Sequence, residues 1–171
     1  MKKIVLLCLL AFATGLCYAQ FPQNFIGEWK GKLQWIVTGK PLQEFAMRLR
    51  IAASDSLNRY IWHISYGDSN KDTRPYMLSL VDREKNHWVI EEGNGINLDN
   101  YVAGNCLQGS FTVMNNTIVN NYCIEDGKMR VEFFTIKLAD KKTSGNGTKD
   151  SPLVDNYRMA GYQHGLLEKV R

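Results

Sequence analysis

The segment that decides the fold class is Glu44-Phe45-Ala46-Met47-Arg48-Leu49-Arg50-Ile51, in which a large apolar residue stands at every second position. Successive side chains of a β-strand point to opposite faces, so this period places the large apolar side chains on one face and the charged ones on the other. The segment therefore predicts a strand with one buried face and one face in water. The segment before it has the same period, and its predicted inward residues are Trp29, Gly31, Leu33, Trp35 and Val37.

The rest of the chain repeats this pattern in short segments that are separated by turn residues. Asn94-Gly95, Asn115-Asn116 and Asp126-Gly127 have the composition of tight hairpin turns. The stretch 140–151, rich in Lys, Ser, Gly, Thr and Asn, is predicted to be a loop before the last strand. The pattern predicts further strands at residues 58–66, 75–82, 87–92, 98–103, 107–114, 117–124, 128–139 and 156–170.

Meandering strands in this number can form a two-sheet sandwich or close into a barrel. Closure removes the exposed strand edges that invite aggregation. We therefore predict an all-β protein, an antiparallel up-and-down barrel of about 8–10 strands, whose interior holds either packed side chains or one small ligand.

The N-terminus has the three zones of a secretory signal: Lys2-Lys3, the apolar run Ile4 to Phe12, and small residues before Gln20. The run is shorter than the roughly 20 apolar residues of a membrane-spanning helix. We predict removal of residues 1–19, a single domain over residues 20–171, and export to the periplasm or the extracellular space. The alternative is a lipid anchor at Cys8 or Cys17, although a leucine precedes each of them where a lipoprotein signal has a small residue.

The charge of the chain argues against a polyanionic partner. Without residues 1–19, the 21 basic residues fall to 19 while the 17 acidic residues remain. Lys and Arg do not gather into a run with interleaved aromatic residues, so nucleic-acid binding is not predicted. No later segment is long and apolar enough to form a membrane-spanning helix.

Cys106 and Cys123 are the cysteines that remain after cleavage, and an oxidising compartment favours a disulfide between them. If Asn115-Asn116 form the hairpin turn, Cys123 lies opposite Gln108 and diagonal to Cys106. Diagonal neighbours are about 7–8 Å apart, just beyond the usual reach of a disulfide. A turn shifted by one residue would close this gap, and the alternative is two buried thiols on one face.

The predicted inward positions are rich in aromatic side chains, which are suited either to a packed core or to the wall of a pocket. Composition does not choose between the two. As a pocket, the interior would bind a small hydrophobic or amphipathic molecule. The predicted ligand-binding residues are Trp35, Phe45, Met47, Tyr60, Trp62, Trp88, Phe111, Tyr122, Phe133 and, as a partner for a ligand carboxylate, Arg158.

The opening Phe25-Ile26-Gly27-Glu28-Trp29-Lys30-Gly31 resembles the start of the first strand in the calycin group, which comprises lipocalins, fatty-acid-binding proteins and nitrobindin-like barrels. This resemblance implies an antiparallel barrel of eight or ten strands that holds a small hydrophobic ligand. It also implies a structural role for Gly27, Trp29 and Gly31, with the Trp29 side chain plugging the closed end.

The nitrobindin-like branch carries a histidine near the C-terminus that ligates haem iron, and His164 is similar in placement. The resemblance thus implies haem binding through His164 as a further alternative, since a neutral imidazole is a competent axial ligand. Leu33 replaces the last glycine of that branch's opening. The competing interpretation is that His164 faces solvent.

Other chemical signals are weak. His63 and His87 lack partners at metal-ligand spacing, so no metal site is predicted. Glu91 and Glu92 point to opposite faces of a strand, and the inward one would either hydrogen-bond a tyrosine or act as an acid. The chain has no nucleophile or phosphate-loop motif, and we predict that it is not an enzyme.

Three functions therefore remain in competition. The leading prediction is an exported barrel that binds a small hydrophobic or amphipathic ligand. The alternative is an interaction module with a solid core, whose loops 68–72 and 140–151 contact a protein or glycan partner. An enzyme would require Glu91, Glu92 or His164 to lie inward beside a second polar group.

Overall fold

The computed structural model describes residues 21–69 and 72–171, which form ten antiparallel strands closed into one barrel. Each strand pairs with its neighbours along the chain, and the last strand pairs with the first. No helix occurs within these ranges, and the predicted all-β, up-and-down barrel is confirmed. The strands are β1 (Gly27–Ile36), β2 (Gln43–Ala53), β3 (Arg59–Tyr66), β4 (Asp72–Asp82), β5 (His87–Glu91), β6 (Asn97–Ala103), β7 (Cys106–Val113), β8 (Asn116–Glu125), β9 (Lys128–Ser144) and β10 (Val154–Lys169).

The alternation in β2 determines which side chains form the core. Met47, Leu49 and Ile51 are at most 1% exposed, while Arg48 and Arg50 between them lie in solvent. A strand in a closed sheet buries one face only, so the apolar residues at every second position become the barrel interior.

Aromatic side chains close one end of the barrel. Trp29 and Phe25 are each 1% exposed, and the Trp29 indole nitrogen donates a hydrogen bond to the Phe25 carbonyl oxygen over 2.8 Å. The Lys169 ammonium lies 5.2 Å from the centre of a Trp29 ring. At Gly31, a Cβ atom would lie only 2.6 Å from the Leu166 carbonyl oxygen, so β1 and β10 approach closely there because this residue has no side chain.

A disulfide joins Cys106 on β7 to Cys123 on β8, and the two residues lie directly opposite each other. The hairpin turn consists of Met114-Asn115, both with positive φ, and not of Asn115-Asn116 as predicted. Positive φ at both turn residues is typical of the type I′ hairpin, whose twist matches that of the strands. This shift by one residue puts Cys106, and not Gln108, opposite Cys123.

β9 and β10 extend beyond the barrel wall as a two-stranded ribbon. The last pairs with the flanking strands are Lys137 with Asn116 and Tyr162 with Ile36, while β9 pairs with β10 as far as Ser144. The prediction of a loop over residues 140–151 is therefore wrong for residues 140–144. Their polar side chains suit a ribbon that has water on both faces.

The predicted signal segment, residues 1–19, lies outside the described residues, as do Cys8 and Cys17. Within residues 21–69 and 72–171, no helix is long and apolar enough to cross a membrane.

Candidate functional site at the open end of the barrel

Packed side chains fill most of the barrel interior towards the closed end. Five of the predicted ligand-binding residues belong to this packed region, where they contact other core side chains. The Trp62 ring packs edge-on against Tyr122 at 5.1 Å, and the Tyr60 ring lies 6.0 Å from Trp88. The five residues are Met47, Tyr60, Trp62, Trp88 and Tyr122.

At the opposite, open end the interior widens into a pocket of about 410 Å³, here called the mouth pocket. Four predicted ligand-binding residues line it: Trp35, Phe45, Phe111 and Phe133. The interior thus combines a packed core with a hollow mouth. The remaining lining residues are Gln43, Tyr66, Asp72, Arg74, Ile118, Thr135 and Gln163.

The mouth pocket is built from strand ends on opposite sides of the barrel. β1 ends there with Trp35, β3 with Tyr66 and β7 with Phe111, while β2 and β8 begin there. The side chains point inward because they continue the period of the core. The Phe45 ring packs edge-on against Tyr66 at 5.8 Å. Phe133 packs in the same way on the buried Tyr122, which connects the pocket wall to the core below it.

One side of the mouth pocket carries a cation. The Arg74 guanidinium lies 4.9 Å from the centre of the Tyr66 ring and is bonded through two nitrogens to the Asp72 carboxylate, at 3.2 and 3.1 Å. The hydrogen bond from Arg74 lowers the pKa of Asp72, and the bond to Asp72 raises the pKa of Arg74. Both groups are therefore fully charged near neutral pH.

The tyrosines around Arg74 are neutral. Burial raises the pKa of Tyr66 to about 12, and burial together with the Glu92 carboxylate raises the pKa of Tyr76. Burial also raises the pKa of Tyr122 well above its usual value. The pocket thus offers the neutral Tyr66 phenol, aromatic surface and one ion pair.

Arg158 lies outside the mouth pocket, and the prediction that it reaches the cavity is wrong. It sits on the ribbon beyond the barrel wall, where its Nε donates to the Asp140 carboxylate over 2.6 Å. A register shift between β9 and β10 at this position accompanies that pairing.

His164 is on the outer face of the barrel. Its ring stacks on Tyr162 at 4.9 Å, while its neighbour Gln163 lines the mouth pocket. An axial haem ligand inside the barrel would have to occupy an inward position, and His164 does not. The resemblance placed this histidine by its distance from the C-terminus, which does not determine the face of a strand.

The other candidate polar residues serve the barrel wall. Glu91 accepts hydrogen bonds from Arg59 over 2.6 Å and from Ser79 over 2.5 Å on the outer face. The Nε2 atom of His87 lies 2.6 Å from Oδ1 of Asp99, and the His87 ring stacks on the ring of Tyr101. Within the described ranges, no group of three or more His, Cys, Asp or Glu residues is placed to hold a metal ion.

Sequence reasoning missed Asp72 and Arg74 because the strand was predicted to begin at Pro75. β4 in fact begins at Asp72. The sequence did contain a signal for them, because Arg74 lies two and four residues before Tyr76 and the fully buried Leu78 and therefore shares their face of the strand. Extending the period backward from Leu78 would have placed both charged residues on the inward face.

No family model matches this chain, and no curated protein matches it. Among solved structures, the chain is similar to an S-type phycobiliprotein lyase, CPES, from Guillardia theta. The TM-score is 0.54 at 8% sequence identity, over 86% of this chain and 89% of the lyase. This likeness shows a shared barrel fold and does not assign the chain to a family.

The prediction that the protein is not an enzyme does not stand, because a barrel of similar fold is by its name a lyase, which is an enzyme. The absence of a familiar catalytic motif was the basis of that prediction. The similar lyase shows that a barrel of this fold can be an enzyme. At 8% identity, the likeness transfers the fold and not a reaction.

Proposed function

We propose that this barrel binds a small amphipathic molecule in the mouth pocket, with the apolar part of the ligand against the aromatic wall. The observation that supports this most directly is a hollow of about 410 Å³ lined by five aromatic side chains, above the hydrophobic core of the barrel. Small-molecule sites typically measure about 300–1,000 Å³ and combine apolar walls with a few polar groups. The mouth pocket has both features.

The size of the pocket sets the expected affinity. A ligand that buries about 200 Å² of apolar surface gains roughly 5 kcal/mol at about 25 cal/mol per Å². The loss of translational and rotational freedom offsets a large part of this gain. Because 5 kcal/mol corresponds to a dissociation constant of about 0.2 mM, we expect simple aromatic compounds to bind with dissociation constants of about 0.2 mM or weaker.

Polar side chains at the same level support an amphipathic ligand over a purely apolar one. Gln43, Thr135 and Gln163 line the pocket together with the Asp72–Arg74 pair. Polar groups in a mainly apolar site fix the orientation of the ligand, because each one left without a partner costs free energy.

We further propose that the mature protein is exported. The apolar run behind Lys2-Lys3 supports this proposal. The disulfide between Cys106 and Cys123 supports it as well, because disulfides persist in oxidising compartments.

Two neighbouring residues on opposite faces of β9 provide the test of ligand binding. Phe133 lines the mouth pocket, whereas Phe134 stacks on Tyr162 on the outer face. We expect the uncharged fluorescent probe N-phenyl-1-naphthylamine to bind the wild-type protein with enhanced emission. The variant Phe133→Leu should bind several-fold more weakly, because an aromatic pair contributes about 0.5–1.5 kcal/mol beyond its buried area.

The matched control is Phe134→Leu, which should bind the probe like the wild type. Circular dichroism of both variants would establish that the barrel is intact. Equal weakening in the two variants, or no probe binding by the wild type, would contradict the proposal.

A further inference from the structure

The Asp72–Arg74 pair has the geometry of a carboxylate bound to a recognition arginine. Two guanidinium nitrogens of Arg74 donate to the two oxygens of Asp72, at 3.2 and 3.1 Å. This two-pronged arrangement is the one in which arginine binds planar carboxylates of any origin. The pair lies on the wall of the mouth pocket, so the position that Asp72 occupies is reachable from the cavity.

We propose that the ligand of the mouth pocket carries a carboxylate, and that this group replaces Asp72 on Arg74. The inference rests on the proposed function, because it assigns the polar end of the ligand bound there. In this account Asp72 is an internal competitor that holds the guanidinium in position while the pocket is empty.

Because both side chains of the pair are exposed, replacing Asp72 by a ligand carboxylate costs little free energy. The side chain of Asp72 is 55% exposed and that of Arg74 is 46% exposed. Ion pairs in such surroundings contribute little to stability, because water solvates the separated charges well. Asp72 is also the first residue of β4, so its carboxylate can turn towards solvent without disturbing the strand core.

The surroundings of Arg74 favour a single negative charge. Of the pocket-lining residues that the structure describes, Arg74 alone carries a positive charge. Its other neighbours are the Tyr66 ring and Tyr76, whose hydroxyl lies between Arg74 and the Glu92 carboxylate. A dianionic phosphate would face two carboxylates with one cation to balance it. A carboxylate restores the charge balance that Asp72 now provides, and the aromatic wall receives the rest of the molecule.

If a ligand carboxylate replaces Asp72 on Arg74, substitutions of these two residues should change the affinity for a carboxylate in opposite directions. Asp72→Asn removes the competitor and should strengthen binding of a carboxylate about two- to fivefold, the usual range for an exposed ion pair. Arg74→Gln removes the recognition group and should weaken that binding about tenfold or more, as is typical of hydrogen bonds to charged groups.

The experiment is isothermal titration calorimetry at pH 7.5 with 1-naphthaleneacetic acid and with 1-naphthaleneacetamide. The two compounds share their apolar part and differ in charge. The controls are Glu91→Gln and Arg59→Gln, which change net charge equally but break an ion pair on the outer face. We expect tighter binding of the acid than of the amide by the wild type and opposite shifts for the acid in the two pocket variants. The amide should respond less than the acid in both pocket variants, and the outer-face controls should bind both compounds like the wild type.

Three results would overturn the inference, and their consequences differ. Equal affinity for acid and amide, unaltered by Asp72→Asn and Arg74→Gln, would refute the carboxylate subsite and leave the aromatic pocket standing. Equal shifts in the outer-face controls would refute it also, because net charge alone would then explain the effect. Failure of both compounds and of N-phenyl-1-naphthylamine to bind the wild type would refute the proposed function as well.

Discussion

Reduction of the disulfide between Cys106 and Cys123 should lower the free energy of unfolding by about 3 kcal/mol. The two residues are 17 positions apart, so the bond closes a short loop in the unfolded chain. The chain-entropy relation gives about 3 kcal/mol for a loop of this length at 25 °C. The cysteines also lie opposite each other in adjacent strands, so β7 and β8 remain paired after reduction.

The assay is guanidinium chloride unfolding followed by tryptophan fluorescence, with and without a phosphine reductant. The buried Trp29, Trp62 and Trp88 report the loss of the core. We expect a lower midpoint for the reduced protein with a similar dependence of free energy on denaturant. The double variant Cys106→Ala/Cys123→Ala is the control, since its stability should not respond to the reductant.

A change below about 1 kcal/mol on reduction would refute this reasoning, because the disulfide would then not restrict the unfolded chain as the entropy relation requires. Loss of the native circular dichroism spectrum on reduction alone, without denaturant, would also refute the predicted loss of about 3 kcal/mol, because the effect would then be much larger. The bond would then be needed for the fold itself and not only for its stability.

Two further predictions concern the core and the pocket wall. Gly31→Ala should destabilise the barrel by about 1–3 kcal/mol in the same unfolding assay, because the added methyl group would lie 2.6 Å from the Leu166 carbonyl oxygen. The control is Lys32→Ala on the outer face, which should change the stability little. Equal effects of the two substitutions would contradict the close approach of β1 and β10. Because the folded pKa of Tyr66 is about 12, above its ordinary value of 10, its contribution to stability is complete below pH 10 and is lost as the pH rises towards 12. Tyr66→Phe should reduce this loss of stability at alkaline pH. If the unfolding midpoint of the variant depended on pH as that of the wild type does, the prediction would be contradicted.

The local periodicity of the sequence was sufficient to predict most of the fold. The alternation in β2 identified its buried face, and each turn cluster separated two strands, which together led to a barrel of about ten strands. A strand's period is a local property, and the neighbouring strands of an up-and-down barrel are also neighbours in sequence. The exact turn was less predictable: Met114-Asn115 and Asn115-Asn116 differ by one residue, and the composition favoured the wrong pair.

The location of the pocket could not be read from the same pattern. Trp62 and Phe133 both occupy inward positions, yet one lies in the packed core and the other lines the mouth. The depth of a residue along the barrel depends on the stagger of the strands, which is a property of the closed sheet and not of one segment. Arg158 was misplaced for a related reason, since nothing in its own strand shows that β10 continues beyond the barrel wall.

The ribbon shows a second limit of composition. Residues 140–144, Asp-Lys-Lys-Thr-Ser, have a loop-like composition, but they pair with β10 as an extended strand. The pairing supplies their backbone hydrogen bonds, so local preference is overridden by the partner strand. The contacts of this ribbon with a protein or glycan partner stay a prediction, as does the signal at residues 1–19.

A titration followed by two-dimensional ¹H–¹⁵N NMR, with 1-naphthaleneacetic acid added to the isotopically labelled protein, tests the central claim most directly. We predict that the backbone signals of Phe45, Tyr66, Arg74, Phe111 and Phe133 shift with a common saturation curve, while those of Trp29, Leu107 and Leu167 at the closed end stay in place. Shifts confined to the closed end or to the ribbon, with the mouth signals unchanged, would contradict a binding site at the open end of the barrel.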